Sequence, residues 1–391
     1  MRVVIPPFCG FLRAKPLYYK EIDHQRVHSA YALLKDEISH PPAIHIVGTN
    51  GKGSTGRMIA HLSYSSGLSV GHFSSPHILR FNERIWIDGD DSSDEVLEIA
   101  HRRLYSYLGA EMSEELSYFE YTTLLALVLF ESVDLVVLEA GLGGEFDATN
   151  VCDKVLSIIT PIGVDHQAFL GETIDEIART KIRSIQKQVL IAPQVYPEVL
   201  EIAEEICLER GAKLYICSDS IDESRVSKIR EIALPKSWGD YLIDNALVAL
   251  KALDILDTSY AISHLKSLEL FGRFYQLTAN IRIDVGHNPL AAKAIVKALD
   301  RKVVLIYNSL DDKDYEEVLR ILKPRIERVE ILSIRGERAA TIVEIEEALS
   351  RVGIEYSFYD GTIDEERDYL VFGSFYVVEE FLKKWRVDVS K

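Results

Sequence analysis

Cysteine is scarce in this 391-residue chain, and its four copies, Cys9, Cys152, Cys207 and Cys217, form no Cys-x-x-Cys pair and no Cys/His cluster at zinc spacing. That excludes a zinc module or a disulfide-stapled scaffold and reads as scattered thiols of a reducing compartment. Long apolar runs are missing too: Thr122 to Phe130 is too short to cross a bilayer, and the stretch holding Arg2, Arg13 and Lys15 has no apolar core of signal-peptide length. A cytoplasmic protein without a membrane partner is expected. Basic residues are outnumbered, 44 Lys and Arg against 61 Asp and Glu for a formal charge of −17, which argues against a broad nucleic-acid or anionic-membrane surface. An anionic substrate must therefore meet a local basic pocket. Internal repeats and low-complexity tracts are absent.

Apolar residues are plentiful: 47% of the chain, enough at this length to fill two cores. The stretch Val47-Gly48-Thr49-Asn50-Gly51-Lys52-Gly53-Ser54-Thr55 is the most informative. An apolar strand at Ile44 to Val47 runs into a glycine-rich turn and then into a helix predicted over Ser54 to Ser66. The glycines let backbone N–H groups approach an anion closely, and Lys52 adds a point charge where terminal phosphates would lie. The strict Walker pattern has Lys directly before Ser or Thr, whereas Gly53 intervenes here, so the loop is a relative of that pattern. A plain tight turn accounts for Gly48 and Gly51 but gives Lys52 no role.

Strand-like runs at Ile44 to Val47, Asp134 to Leu138, Val155 to Ile159 and Val189 to Ile191 alternate with helix-like segments at Val96 to Leu108, Glu120 to Glu131 and Pro197 to Arg210. Such alternation implies an α/β fold with a mostly parallel sheet wrapped by helices. The pattern breaks at Phe271-Gly272-Arg273, after which Ile281 to Val285, Lys302 to Ile306, Val329 to Leu332 and Tyr369 to Phe372 start a second, smaller α/β series. We therefore expect two domains, 1–270 and 271–391. Cys217 to Trp238 has no clear period and reads as connecting structure. Val27, Tyr31, Leu33 and Leu34 carry a helical period that packs on the first domain, while Met1 to Tyr19 resists assignment.

Several polar clusters follow predicted strands: Ser74-Ser75-Pro76-His77 with Phe81-Asn82-Glu83-Arg84-Ile85, then Glu139-Ala140-Gly141-Leu142-Gly143-Gly144 with Asp147-Ala148-Thr149-Asn150, then Thr160 to His166. In open α/β sheets the carboxyl ends of strands converge on the ligand crevice, so these groups should face the same phosphates as Lys52. Glu139 is a natural magnesium ligand, because Mg²⁺ takes carboxylate oxygen together with water and phosphate. His166 is the candidate second ligand; a lone histidine is more often a hydrogen-bonded structural residue, and its place at a strand's carboxyl end favours the ligand. Asp284 and Asn288, between a strand and Pro289, are helix caps or ligand groups on equal terms. Arg273 binds phosphate or pairs with a carboxylate, and one arginine decides nothing.

Together these pieces resemble the folylpolyglutamate synthase and dihydrofolate synthase family, the folate branch of the Mur ligase superfamily. The match rests on Gly-Thr-Asn-Gly-Lys-Gly-Ser at 48–54, Ser-Ser-Pro-His at 74–77, Phe-Asn-Glu-Arg-Ile at 81–85 and the Gly-Leu-Gly-Gly and Asp-Ala-Thr-Asn stretches. The resemblance implies a P-loop-containing N-terminal ATP-binding domain and a smaller Rossmann-like C-terminal domain that binds glutamate. It places ATP on Asn50, Gly51, Lys52, Gly53, Ser54, Asn245, Arg273 and Asp284, and magnesium on Ser75, Glu139 and His166, with a monovalent cation such as K⁺ as a further cofactor. Lys181 matches a lysine that is carbamylated in similar enzymes, although Thr180-Lys181-Ile182-Arg183-Ser184 departs from the family's usual Glu-Lys-Ala-Gly-Ile; a free helix-surface ammonium is the alternative. Leu242 stands where a glutamine is usual, and Phe271 where the hinge often has proline.

The pterin-bearing substrate would lie along Ser117, Tyr118, Phe119 and Glu120 and along Phe146, Asp147 and Ala148, since aromatic faces suit a flat heterocycle. Tyr118 and Phe119 are equally readable as core residues opening an apolar helix. Glutamate would be held by Arg84, His287 and Ser374. Lys52, His166 and Lys181 are then the catalytic candidates in an ATP-dependent ligase, working as a monomer, that extends folate, and also dihydropteroate, through an acyl phosphate. Two rivals stand beside it: a Mur-type cell-wall ligase, usually preceded by a nucleotide-sugar module for which about forty residues leave no room, and a non-ligase P-loop ATPase or switch.

Overall fold

The computed structural model describes residues 5–16, 23–220, 222–336 and 338–385. Its larger sheet contains β1 (Ala43–Val47), β2 (Val70–Phe73), β3 (Ile85–Ile87), β4 (Asp90–Asp91), β5 (Leu135–Glu139), β6 (Lys154–Ile159), β7 (Gln188–Ile191) and β8 (Lys213–Ile216). The order is β4-β3-β2-β5-β1-β6-β7-β8, parallel except for the β2-β3-β4 edge. β1 is thus central, with Ile44 opposite Val137 of β5 and Leu156 of β6. Its five residues are all buried because helices cover both faces. Ile44 and Ile46 pack with Met58, Ile59 and Leu62 of the helix Lys52–Ser65 and with the helix Asp240–Ile255. The opposite face holds Ala43, Phe73, Tyr121 and Leu124.

A second sheet follows the 3₁₀ turn Ile262–Lys266: β9 (Tyr275–Gln276), β10 (Ile281–Ile283), β11 (Val303–Tyr307), β12 (Ile326–Ile331), β13 (Tyr356–Phe358) and β14 (Tyr369–Phe372). Its order is β13-β12-β11-β14-β10-β9, parallel apart from the β9-β10 edge. The expected break at Phe271 falls between the two sheets.

Where the sequence reading departs from the fold, burial explains it. Cys217 to Trp238 is not mere connecting structure: it holds the helix Glu223–Lys236, whose first turn is capped by Asp222. Only Ile229, Ile232 and Ala233 of that helix are buried, so its apolar period is too sparse to read. The loop helix starts at Lys52, two residues before the expected Ser54, because left-handed Gly51 (φ 87°) turns the chain directly into it. Near the N-terminus, Val27, Ala30 and Leu34 face the core, whereas Leu33 is 51% exposed. The part of Met1 to Tyr19 that is described forms the helix Phe8–Ala14, and residues 1–4 and 17–19 lie outside the described residues.

Candidate active site

The carboxyl ends of β5, β1 and β6, three neighbours in the sheet, deliver the loop, Glu139 and the Thr160–His166 segment to one place. The loop is braced from β6: Thr49 N and Asn50 N donate to Pro161 O at 2.9 and 3.2 Å, and Thr49 Oγ1 exchanges hydrogen bonds with Gly163 at 3.0 Å. A Cβ on Gly51 would lie 2.7 Å from Asn245 Oδ1 in a backbone conformation unfavourable to side chains, and one on Gly53 would lie 3.1 Å from Glu139 Oε2. Gly51→Ala should therefore cost about 1–2 kcal/mol of stability and lower ATP affinity; a melting curve and a nucleotide titration, both unchanged, would show that this approach is not tight. Lys52 Nζ donates to Gly48 O and Thr49 O, each at 3.2 Å.

Glu139 is buried at the end of β5 and accepts from Ser75 N at 3.2 Å. Burial pushes its carboxyl pKa up, opposed by Lys52, by Arg273 and by the Ser75 amide. Arg273 arrives from the inter-sheet segment, its guanidinium 5.1 Å above the Phe375 ring. This local concentration of cations in an acidic chain is the basic pocket that the charge balance required. His166 sits in left-handed backbone (φ 54°), its pKa pushed down to about 4, mainly by burial. Lys181 is buried, donates to Gly48 O at 3.0 Å, and is lowered to about 7 by burial and by nearby Lys52. It is not a helix-surface ammonium.

From the second sheet, Asp284 follows β10 and accepts from Phe274 N at 2.8 Å, Gly286 N at 2.7 Å and Tyr241 OH at 3.2 Å. Its pKa is raised by burial, with Arg273 opposing. Asn288 caps the helix Pro289–Ala298 through Ala291 N, so the capping reading holds, yet the same side chain pairs with the amide of Asn50 at 2.9–3.0 Å. His287 has Nδ1 3.2 Å from Val285 O and Nε2 3.4 Å from Asp165 Oδ2.

One cavity of about 1040 Å³ is lined by Asn50, Gly51, Lys52, Gly53, Ser54, Ser75, Glu139, His166, Lys181, Asn245, Arg273, Asp284 and His287. Every expected nucleotide and metal residue is among them. The expected pterin residues and two of the glutamate residues are not. Arg84 is buried, donates from Nε to His77 Nδ1 at 2.8 Å and lies 5.3 Å above the Tyr118 ring. Ser117 and Glu120 form a capping box on the helix Tyr118–Leu129, and Glu120 also accepts two hydrogen bonds from Arg26 Nη2, at 2.9 and 3.1 Å. Phe119 packs near Phe73 and against Gly141, which is among the residues lining the cavity. Phe146 is 55% exposed and lies against His24, ring centroids 4.2 Å apart and planes tilted by 32°. Asp147 accepts from Leu142 N at 2.8 Å and Thr149 Oγ1 at 2.6 Å, Ala148 is in the core, and Ser374 caps the helix Phe375–Lys384 through Val377 N.

Among the described residues no group of three or more His, Cys, Asp or Glu is arranged around a metal position. A magnesium site needs no such group, because Mg²⁺ keeps several waters and takes few protein ligands plus substrate phosphates. The donor set present fits that ion: the buried Glu139 carboxylate, the half-buried Ser75 whose backbone N–H donates to it, and an imidazole kept neutral at pH 7.

Sequence reasoning missed Asp165, Lys313, Tyr241 and Phe375. Lys313 lies in an Asp-Asp-Lys-Asp run just after β11, at the carboxyl end of a buried parallel strand, which was the available signal.

No family model matches the chain. A Haemophilus influenzae protein named dihydrofolate synthase/folylpolyglutamate synthase is 32% identical, covering 87% of this chain and 88% of its own length. The crystal structure of Helicobacter pylori folylpolyglutamate synthetase is 39% identical over 98% of this chain and 100% of that one, with a TM-score of 0.78. A bifunctional folylpolyglutamate synthase/dihydrofolate synthase solved with Mn, AMPPNP and L-glutamate is 27% identical over 98% of both chains, with a TM-score of 0.83. With its glycine-rich loop, buried carboxylate and two-sheet cleft in place, the chain belongs to the dihydrofolate synthase/folylpolyglutamate synthase family.

Proposed function

We propose that the cleft joins L-glutamate to a pterin-linked acid, folate or dihydropteroate, by way of an acyl phosphate made from ATP. The observation that carries this reading is that Lys52 and Glu139 on one side and Asp284 and His287 on the other line a single cavity. A carboxylate is a poor electrophile until one of its oxygens can leave. Lys52 and the loop amides stabilise charge on the transferring phosphoryl group as the acid oxygen attacks phosphorus and ADP departs. The glutamate amine then attacks the acyl carbon, and inorganic phosphate leaves with an oxygen taken from the acid.

Asn245, Arg273 and Asp284 hold the nucleotide, and Arg84, His287 and Ser374 receive glutamate. The pterin end lies toward Tyr118, Phe119 and Phe146, with Ser117, Glu120, Asp147 and Ala148 shaping those segments. Ser75, Glu139 and His166 hold Mg²⁺, which when bound neutralises phosphate charge. Residues 1–270 and 271–391 act as two lobes that exclude water from the acyl phosphate when together. A monomer suffices, because every contact proposed comes from one chain.

Lys181 is the site of carbamylation on this reading. Only the neutral amine adds CO₂, and burial brings its pKa to about 7, so much of the lysine is reactive near neutrality. Turnover should rise with added bicarbonate and fall after CO₂ is removed, more steeply at pH 6 than at pH 8. Intact mass showing only the free amine under all these conditions would remove the carbamate.

The deciding assay follows ADP release with ATP, Mg²⁺ and glutamate while dihydropteroate or a reduced folate is added in turn. Stimulation by both supports dual activity, and stimulation by the folate alone restricts the enzyme to chain extension. Stimulation by neither overturns the proposal, as does acid-derived ¹⁸O that never reaches phosphate. A Mur-type ligase would instead need a nucleotide-linked acid, and a switch would hydrolyse ATP without glutamate.

A further inference from the structure

Asp165 carries an enclosed carboxylate that bridges the two lobes, and nothing in the ligation scheme above uses it. It belongs to the first lobe, one residue before His166, and its side chain is 7% exposed. Three of its partners come from the second lobe: Lys313 Nζ at 2.6 Å, Asn288 Nδ2 at 3.1 Å and His287 Nε2 at 3.4 Å. Its own lobe adds the His166 amide at 2.9 Å. Lys313 is equally enclosed, 4% exposed, with Asp312 as its second acid at 3.3 Å.

A buried ion pair of this kind contributes little net stability, since both charges must lose water, but it is costly to break on one side only. It therefore acts as a register: with the lobes together every charge is matched, and small misalignments leave one unmatched. The carboxylate it fixes lies between His166, assigned to the metal, and His287, assigned to the amino-acid side, with the helix cap Asn288 beside it. We infer that Lys313 is a positioning residue for the ligation, holding the second lobe against Asp165 so that His287 is set at the distance from the phosphoryl group at which bound glutamate can attack. This rests on the glutamate role given to His287 above. Lys313 touches no substrate in this scheme; it works through Asp165.

The test compares Lys313→Met, Lys313→Arg, Asp165→Asn and the Lys313→Met/Asp165→Asn double variant in the full-length protein. Lys313→Met should raise KM for glutamate at least about tenfold while the Kd for AMPPNP stays within about twofold, because loss of a buried charge partner is felt where the lobes meet. Lys313→Arg should recover most of the loss by keeping the charge. The double variant should be no worse than Lys313→Met, since it leaves no lone carboxylate. A pair that merely stabilises the fold would lower the melting temperature and leave KM for glutamate unchanged, and that result overturns the inference. X-ray scattering with AMPPNP and L-glutamate provides a readout independent of turnover: the wild type should be more compact than Lys313→Met, and equal radii also overturn it. If the wild type shows no glutamate-dependent ADP release, the functional proposal fails by itself, while the scattering comparison still judges the latch.

Discussion

Lys52→Ala should leave a folded protein that no longer transfers phosphate. Lys52 is the first residue of the loop helix, and among the described residues its ammonium hydrogen-bonds to the loop carbonyls of Gly48 and Thr49, so its removal takes nothing from either core. On the proposed function, what is lost is the point charge beside the transferring phosphoryl group, in a pocket where Glu139 and Lys181 are both buried and charge is weakly screened. Removing one pre-aimed donor from such a site typically costs about 10²–10³ in kcat, and a full positive charge belongs at the upper end. The check is ADP release at saturating substrates beside a melting curve. Melting should hold within a few degrees. Turnover within about tenfold of wild type would mean that the phosphates do not lie on this loop.

Glu139→Gln should be as damaging to turnover and harmless to the fold. The substitution keeps shape and removes the buried carboxylate that faces Lys52 and Arg273 beside the Ser75 amide. Glutamine offers one neutral oxygen in place of a charged carboxylate, a much poorer partner for a hard divalent ion. We expect at least about a 10³-fold loss, uncorrected by more Mg²⁺. The stability side has a definite sign. Burial raises the folded carboxyl pKa above its ordinary 4.5, so between these values the native state holds a proton that the unfolded chain has released. Metal-free wild type should thus lose stability as pH rises through that interval, and Glu139→Gln should not. A variant that melts lower than wild type at pH 7 would show that Glu139 is held chiefly by favourable ion pairing.

Much of the architecture was legible because its strands are buried on both faces and read as unbroken apolar runs, as at Val303–Tyr307 and Tyr369–Phe372. The convergence of the glycine loop, Lys52 and Glu139 on one cavity was legible for a local reason: they lie at strand ends, where chain order alone brings them together. The helix Glu223–Lys236 escaped because a nearly solvated helix needs only a thin apolar stripe. Asp165 and Lys313 escaped because their meaning is their partnership across 148 residues, which no local pattern carries. Ser117 and Glu120 show the converse. Their Ser-x-x-Glu spacing is equally the signature of a capping box, and the structure uses it as one.

The central place of β1 has a corollary for engineering. Since the loop, Glu139 and the Thr160–His166 segment spring from three adjoining strands in the middle of the sheet, while β4 and β8 form its two ends, substitutions in those two end strands should disturb the proposed chemistry least. Libraries meant to change which acid is accepted belong instead on Tyr118, Phe119 and Phe146, with the ends of the central triplet left untouched.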